Sequence, residues 1–148
     1  MVTVAKLIIA LLFTSVFSLA QATVLTDTEG KQIDLSSLRG KWVLINYWAS
    51  WCQPCLNEIH ELNSFYKNNK EKIALFAVNY DELPLREQRR LIKQHGITYP
   101  CLAVDPGHSL NFEQPRAVPA TFVLNPQGKL VKILYGEQTR DSLNEAIG

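Results

Sequence analysis

Two cysteines two residues apart, Cys52 and Cys55, lie between a short apolar segment and a helical one. The apolar segment, residues 43–48, is rich in β-branched and aromatic side chains, which is typical of a buried strand. From Cys55 to about residue 68, apolar residues recur every three or four positions, which predicts an amphipathic helix. The pattern therefore places Cys52 where a strand ends and a helix begins.

The start of a helix is a favourable place for a thiolate. Its first backbone N–H groups have no partner within the helix, and the positive end of the helix dipole lies there. We therefore expect a lowered pKa for Cys52 and a nucleophilic thiol near neutral pH. Cys55, one turn further along, is positioned to close a disulfide with Cys52 and to resolve a mixed disulfide. Pro54 suits the first turn because it has no N–H to lose.

Two other uses of a CxxC pair fit this sequence less well. A zinc site needs two more ligands, and the chain has neither a second CxxC nor a Cys/His pair at ligand spacing. A purely structural disulfide is disfavoured because longer loops constrain the unfolded chain more than so short a loop does. The sequence therefore predicts a redox-active pair with no metal and no cofactor.

The segment WASWCQPC at residues 48–55 resembles the active site of thioredoxin-like proteins, and most of all the exported TlpA/ResA/DsbE-type branch. The resemblance runs from about Leu25 to the C-terminus. It implies an α/β thioredoxin fold with a mixed central sheet, helices on both faces, an N-terminal β-hairpin extension and a central insertion. It also implies a protein-disulfide oxidoreductase whose substrates are protein disulfides or dithiols.

The resemblance also assigns the surroundings of the cysteines. It implies a cis peptide bond between Val118 and Pro119 beside the disulfide, with the backbone of Val118 pairing to a bound polypeptide. The alternative is an ordinary trans proline at the start of a strand. Trp51 is expected on the exposed apolar rim that docks partners, and Trp48 in the core.

Asn46 stands six residues before the first cysteine, where thioredoxin has a buried acid. Asparagine cannot exchange protons, so another group must take the proton of Cys55. By resemblance this catalytic group is Glu82, after the second strand, where a desolvated carboxylate would act as a general base. The alternative is a solvated loop acid. Glu58, three residues after Cys55, is expected to be a solvated helix residue, with a structural or substrate-facing residue as the alternative.

Cys101 lies on a predicted short strand and is expected to be a buried small hydrophobe. A resolving, intermolecular or regulatory thiol remains the alternative. The sequence also predicts the other elements of the mature chain. Before the strand at 43–48 it predicts a hairpin at 24–33 and a helical turn at 34–38. After the active-site helix it predicts strands at 73–78, 101–104, 121–124 and 130–135, and helices at 85–95, 109–112 and 139–147 with Thr139 as the N-cap.

Residues 1–22 are predicted to be a signal peptide, followed by a single domain over residues 23–148. Lys6 supplies positive charge, residues 7–19 are largely apolar, and residues 20–22 form a small-x-small cleavage site. The apolar run is shorter than the roughly 20 residues that span a bilayer, although an uncleaved anchor remains the alternative. Export to the periplasm would place the cysteines in an oxidising compartment. The formal charge of +1 offers no electrostatic argument for binding nucleic acid.

Within this framework we expect a reductant of the cytochrome c maturation type. It would take electrons from a membrane transporter and pass them to a protein disulfide, touching the membrane only through a retained leader. A disulfide donor or isomerase would use the same cysteines, and Gln53 and Pro54 between them do not settle the direction. A metallochaperone holding Cu(I) on the two thiolates is the alternative from a different class.

Overall fold

The computed structural model describes residues 23–148, and a five-stranded sheet lies at its centre. The predicted signal peptide, residues 1–22, lies outside the described residues. In chain order the elements are β1 Val24–Thr26, β2 Gln32–Asp34, a 3-10 turn Leu35–Leu38, β3 Trp42–Trp48, α1 Gln53–Asn69, β4 Ile73–Asn79, α2 Leu85–His95, β5 Cys101–Leu102, α3 Gly107–Leu110, β6 Ala120–Leu124, β7 Leu130–Tyr135 and α4 Arg140–Ala146.

The sheet is mixed, with strand order β5-β4-β3-β6-β7. β3, β4 and β5 are parallel because helices α1 and α2 cross over between them, whereas β6 and β7 are antiparallel. β3 is central, and Tyr47 has Val78 on one side and Ala120 on the other. Because β3 is covered on both faces of the sheet, nearly all of its side chains are apolar, and this continuous apolar sequence is the pattern from which the strand was predicted. Its carboxyl end therefore delivers the cysteine segment to the middle of one sheet edge.

Side chains of β3 alternate between two hydrophobic clusters, one on each face of the sheet. Leu44 and Trp48 belong to the cluster that packs against α1, α2 and α4. Ile45 and Tyr47 belong to the other cluster, which the β1–β2 hairpin, the 3-10 turn and α3 cover. The predicted mixed sheet with helices on both faces and an N-terminal hairpin is confirmed.

Local sequence signals explain most of the element ends. α1 begins at Gln53, two residues before the predicted start, because Cys52 caps it. α2 ends where predicted, since Gly96 takes the left-handed conformation with φ 68°. Thr139, the N-cap that the sequence predicts, caps α4 through a capping box with Ser142.

The segment between β4 and β6 contains α2, β5 and α3, and it is less regular than the sequence predicted. β5 has two residues, Cys101 and Leu102, instead of the predicted four. After Leu102 the chain no longer pairs with β4. The N–H of Ala103 donates to the carbonyl oxygen of Thr26 in the hairpin, at 2.9 Å. Among residues 23–148, no helix has the length and apolar character needed to cross a membrane.

Candidate redox site

Cys52 and Cys55 form a disulfide at the start of α1, just beyond the carboxyl end of β3. Their Cα atoms are 5.2 Å apart. The Sγ atom of Cys52 accepts the backbone N–H of Cys55 at 3.3 Å, which is the contact expected of a sulfur at the capping position. Cys52 retains 5% of its exposure and Cys55 none. An incoming group therefore meets Cys52 first, and Cys55 stays behind it.

The two tryptophans beside the cysteines have different environments. Trp51 is 65% exposed, and its Nε1 donates to Oδ2 of Asp81 at 2.9 Å. Trp48 is buried and meets the ring of His95 edge-on, with centroids 5.9 Å apart. The ring of Trp51 is thus presented to solvent in a fixed orientation next to Cys52. Its expected role in docking partners stays a prediction.

The peptide bond between Val118 and Pro119 is cis, as the resemblance implied. Val118 is half-buried and packs against the cluster that contains both cysteines. The carbonyl oxygen of Pro119 accepts the N–H of Gly136 at 2.9 Å, which ties this loop to the end of β7. The pairing of Val118 and Pro119 with a bound polypeptide stays a prediction.

Glu58 is completely buried, so the expectation that it is a solvated helix residue is wrong. Its Oε1 accepts Nδ2 of Asn46 at 2.7 Å, and its Oε2 accepts the N–H of Gln138 at 2.8 Å. The same Nδ2 of Asn46 donates to Oγ1 of Thr121 at 3.0 Å, and the hydroxyl of Tyr99 reaches Oδ1 of Asn46 at 3.4 Å. The burial of the carboxyl is therefore compensated by two donors, Asn46 and Gln138, which come from distant parts of the chain.

Burial raises the pKa of Glu58 to about 7, from an ordinary value of 4.5. The hydrogen bonds from Gln138 and Asn46 act in the opposite direction, and the charge of Glu137 adds to the rise. Cys55 and Glu58 are three residues apart on the buried face of α1, a spacing that brings Cβ atoms to about 5–6 Å. A carboxyl that changes protonation near neutral pH therefore lies beside the buried thiol.

Glu82 has a different environment from the one expected. It is exposed to solvent, so the expectation of a desolvated carboxylate is wrong. Its backbone is in the left-handed region, with φ 49°, and it lines a cavity that neither Cys52 nor Cys55 lines.

The buried acid that sequence analysis missed did leave a signal. Glu58 falls on the face of α1 that carries Cys55, Ile59 and Leu62, all of which are buried. An acid within an apolar stripe requires a buried partner. The isolated amide of Asn46 within the buried strand β3 was that partner.

Cys101 is buried, which confirms the expectation of a small hydrophobe in this position. Burial raises its pKa to about 12, and the charges of Asp27 and Glu29 contribute to the rise. Such a thiol is almost entirely protonated at neutral pH and is a poor nucleophile. Within residues 23–148, no group of three or more His, Cys, Asp or Glu side chains is arranged to hold a metal ion.

Comparisons with known proteins agree with this geometry. Residues 17–133 match the family described as the AhpC/TSA family. The chain is 34% identical over 123 residues to the thiol-disulfide oxidoreductase ResA of Bacillus subtilis strain 168, covering 82% of this chain and 68% of that protein. The crystal structure of StoA from Bacillus subtilis superposes with a TM-score of 0.69 at 26% identity, covering 83% of this chain and 93% of that one. The pneumococcal exposed lipoprotein thioredoxin Etrx1 of Streptococcus pneumoniae gives 0.70 at 26% identity, covering 82% and 94%.

Proposed function

This chain belongs to the AhpC/TSA family and is a thiol–disulfide oxidoreductase of thioredoxin fold, and we propose that it acts as a reductant of protein disulfides outside the cytoplasm. The observation that carries the proposal is the disulfide at the start of α1, in which Cys52 keeps 5% of its exposure and Cys55 is completely buried on the face of α1 that carries a titratable acid. That arrangement supplies an attacking group, a resolving group and a proton acceptor within about two helical turns.

The reaction begins from the reduced pair. The thiolate of Cys52 attacks one sulfur of the target disulfide, so that a mixed disulfide forms and the other target sulfur leaves as a thiolate. Cys55 then attacks Cys52, which restores the disulfide seen in this structure and releases the second target sulfur. Two electrons pass from the protein to the target, and the target ends as a dithiol.

The second step requires Cys55 to lose its proton inside the protein. A buried thiol has a raised pKa, so a base must be close to it. Glu58 fits that role better than Glu82, because Glu58 is buried on the same face of α1 while Glu82 lies in solvent. With a pKa of about 7, Glu58 is matched to proton transfer near neutral pH.

The proposal includes a compartment and two partners. In the periplasm the oxidised Cys52–Cys55 pair has to be reduced again after each reaction. A membrane electron donor is the partner that would supply these electrons to an exported protein. The substrate would be a disulfide in another exported protein, of the kind reduced during cytochrome c maturation. The similarity to ResA and the leader-like residues 1–22 support this assignment.

Trapping of the mixed disulfide tests the proposal. A Cys55→Ala variant should hold target proteins on Cys52, and the adducts should disappear from non-reducing gels when dithiothreitol is added. Cys52→Ala is the matched control and should trap nothing. Adding Cys101→Ala to the Cys55→Ala variant should leave the amount of trapped target unchanged. Adducts that form through Cys101 would contradict the assignment.

The direction of electron flow is tested by the reduction potential of the Cys52–Cys55 pair. A value near that of thioredoxin, about −270 mV, supports a reductant. A value near about −120 mV would instead identify a disulfide donor with the same cysteines and the same fold.

A further inference from the structure

A cavity of about 170 Å³ opens at the carboxyl ends of β4 and β5, and the redox steps described above do not use it. Its apolar lining comes from Val78, Leu102 and Val104, and its polar lining includes Glu82 and Asp105. A lining of this kind suits a side chain that has an aliphatic stem and a polar head.

The cavity adjoins the redox site. Trp48 of β3 and Asn79 of β4 are partners in the parallel register, so the two strands end side by side. Asp81, next to Glu82 in the chain, accepts the indole N–H of Trp51 at 2.9 Å. A polypeptide that lies against the exposed ring of Trp51 therefore also reaches the rim of the cavity.

The polar groups left free in the cavity are mostly acceptors. Gln88 uses its Nε2 for two carbonyl oxygens, those of Leu83 at 2.7 Å and Ala103 at 3.1 Å, which leaves its Oε1. Asp105 accepts the hydroxyl of Tyr47 at 2.6 Å and the N–H of Gly107 at 2.8 Å, both through Oδ1. Its Oδ2 remains without a protein donor among the described residues.

The charges in the cavity also lack partners. Neither Glu82 nor Asp105 takes part in an ion pair among residues 23–148. The hydrogen bonds to Oδ1 hold the carboxylate of Asp105 in place, so it does not need to be ordered when a ligand binds. Two unpaired carboxylates at one cavity attract a cation.

Asn79 provides an independent observation that points to a ligand at this cavity. It lines the same cavity, is 6% exposed, and its Nδ2 has no hydrogen-bond partner in the described part of the chain. The orientation of the amide is determined, because Oδ1 accepts the N–H of Asp81 at 3.1 Å. A buried donor without an acceptor is unfavourable, so the site is more stable when an acceptor arrives.

We propose that this cavity binds a lysine or arginine residue of the target polypeptide beside the disulfide that is reduced. The cationic head contacts Glu82 and Asp105, the aliphatic stem lies on Val104 and Leu102, and a main-chain carbonyl of the same polypeptide supplies the acceptor that Asn79 lacks. This inference rests on the proposed function, and it gives Glu82 a role in choosing the substrate instead of moving a proton.

Three synthetic peptides test the inference. Each carries one intramolecular disulfide, and they differ only in the residues that flank its cysteines, which are lysine, glutamine or glutamate. The reduced full-length protein is mixed with each peptide in excess, and the second-order rate constant of the single oxidation of the protein is measured from the change in tryptophan fluorescence. We expect the order lysine, glutamine, glutamate, with the first two separated by roughly three- to tenfold at low ionic strength. The separation should shrink at about 0.5 M salt because exposed charges are screened.

Glu82→Gln is the informative variant, and it should reduce the lysine-to-glutamine ratio towards one. Glu145→Gln removes an exposed carboxyl from α4, away from the cavity lining, and should keep the ratio. A ratio that survives Glu82→Gln, or one that falls equally in both variants, would overturn the proposal.

A second measurement does not depend on the chemistry. A lysine peptide without cysteines is titrated into the oxidised protein labelled with nitrogen-15, and the side-chain amide signal of Asn79 should shift while the glutamate peptide leaves it unmoved. Equal rates for the three disulfide peptides together with an unmoved amide would overturn the subsite and leave the redox function standing. If none of the peptides is reduced, the redox proposal fails, and the amide titration alone then decides the subsite.

Discussion

Replacing Glu58 by glutamine should change how the stability of the protein depends on pH. The pKa of this carboxyl is raised from 4.5 to about 7 in the folded chain. Between these values the folded protein holds a proton that the unfolded chain has released, so the free energy of unfolding falls as pH rises. The stabilising effect is fully present below pH 4.5 and is lost as pH passes through about 7.

The size of the effect follows from the shift. A rise of about 2.5 units at 1.36 kcal/mol per unit corresponds to about 3 kcal/mol in the free energy of unfolding over the whole range. Between pH 5 and pH 8 the linkage relation gives a loss of about 2.5 kcal/mol from this residue. The side chain of Glu58 is completely buried, so solvent does not screen its interactions.

The assay is urea unfolding of the oxidised protein at pH 5 and at pH 8, for the parent and for Glu58→Gln. Glutamine leaves one of the two donors, Asn46 or Gln138, without an acceptor, which lowers stability by an amount that does not depend on pH. The quantity to follow is therefore the difference between variant and parent. We expect the variant to gain about 2.5 kcal/mol relative to the parent from pH 5 to pH 8.

A matched control separates this carboxyl from the other acids of the chain. Glu145→Gln removes an exposed carboxyl from α4, and its stability should follow the parent at both pH values. If Glu58→Gln differs from the parent by the same amount at pH 5 and pH 8, the carboxyl does not titrate between them. The assignment of Glu58 as the proton acceptor of the buried cysteine would then be refuted.

Three further changes have expected outcomes. Asn46→Ala leaves the carboxyl of Glu58 short of a buried donor and should lower the free energy of unfolding by about 2–3 kcal/mol, measured as a lower urea midpoint at constant m. Iodoacetamide at pH 8 should modify Cys52 in the reduced native protein and leave Cys101 unmodified until urea unfolds the chain, because burial raises the pKa of Cys101 to about 12. Mass spectrometry of the peptides measures the labelling of each cysteine, and equal labelling rates for Cys52 and Cys101 would contradict the expectation. Thr139→Ala removes the cap of α4 and should cost about 1 kcal/mol in thermal unfolding, with Thr139→Ser close to the parent.

Sequence alone located the elements whose causes are local. The end of α2 was predicted at residue 95 because Gly96 takes the left-handed conformation that stops a helix. The cysteine pair was placed at a strand–helix junction because a continuous apolar segment is followed there by apolar residues at three- and four-residue spacing. In each case the deciding residues lie within a few positions of the feature, so the sequence states them directly.

β5 marks the point where local reasoning loses accuracy. Residues 101–104 look equally suited to a strand, yet only Cys101 and Leu102 pair with β4. The N–H of Ala103 donates to Thr26 in the hairpin, which is far away in the chain. Competition between two strands for one backbone group is decided in three dimensions.

The identity of the buried acid shows the same division most clearly. Glu58 and Glu82 are both acids near the cysteine segment, and the family resemblance favoured Glu82 for burial, whereas Glu58 is the buried one. Glu58 is held by Asn46, 12 residues before it, and by Gln138, 80 residues after it. What the sequence determined by itself was the position of the cysteine pair at the start of a helix, because that position depends on neighbouring residues. Only the tertiary structure decided which carboxyl is desolvated, because desolvation depends on the distant segments of the chain that pack around the side chain.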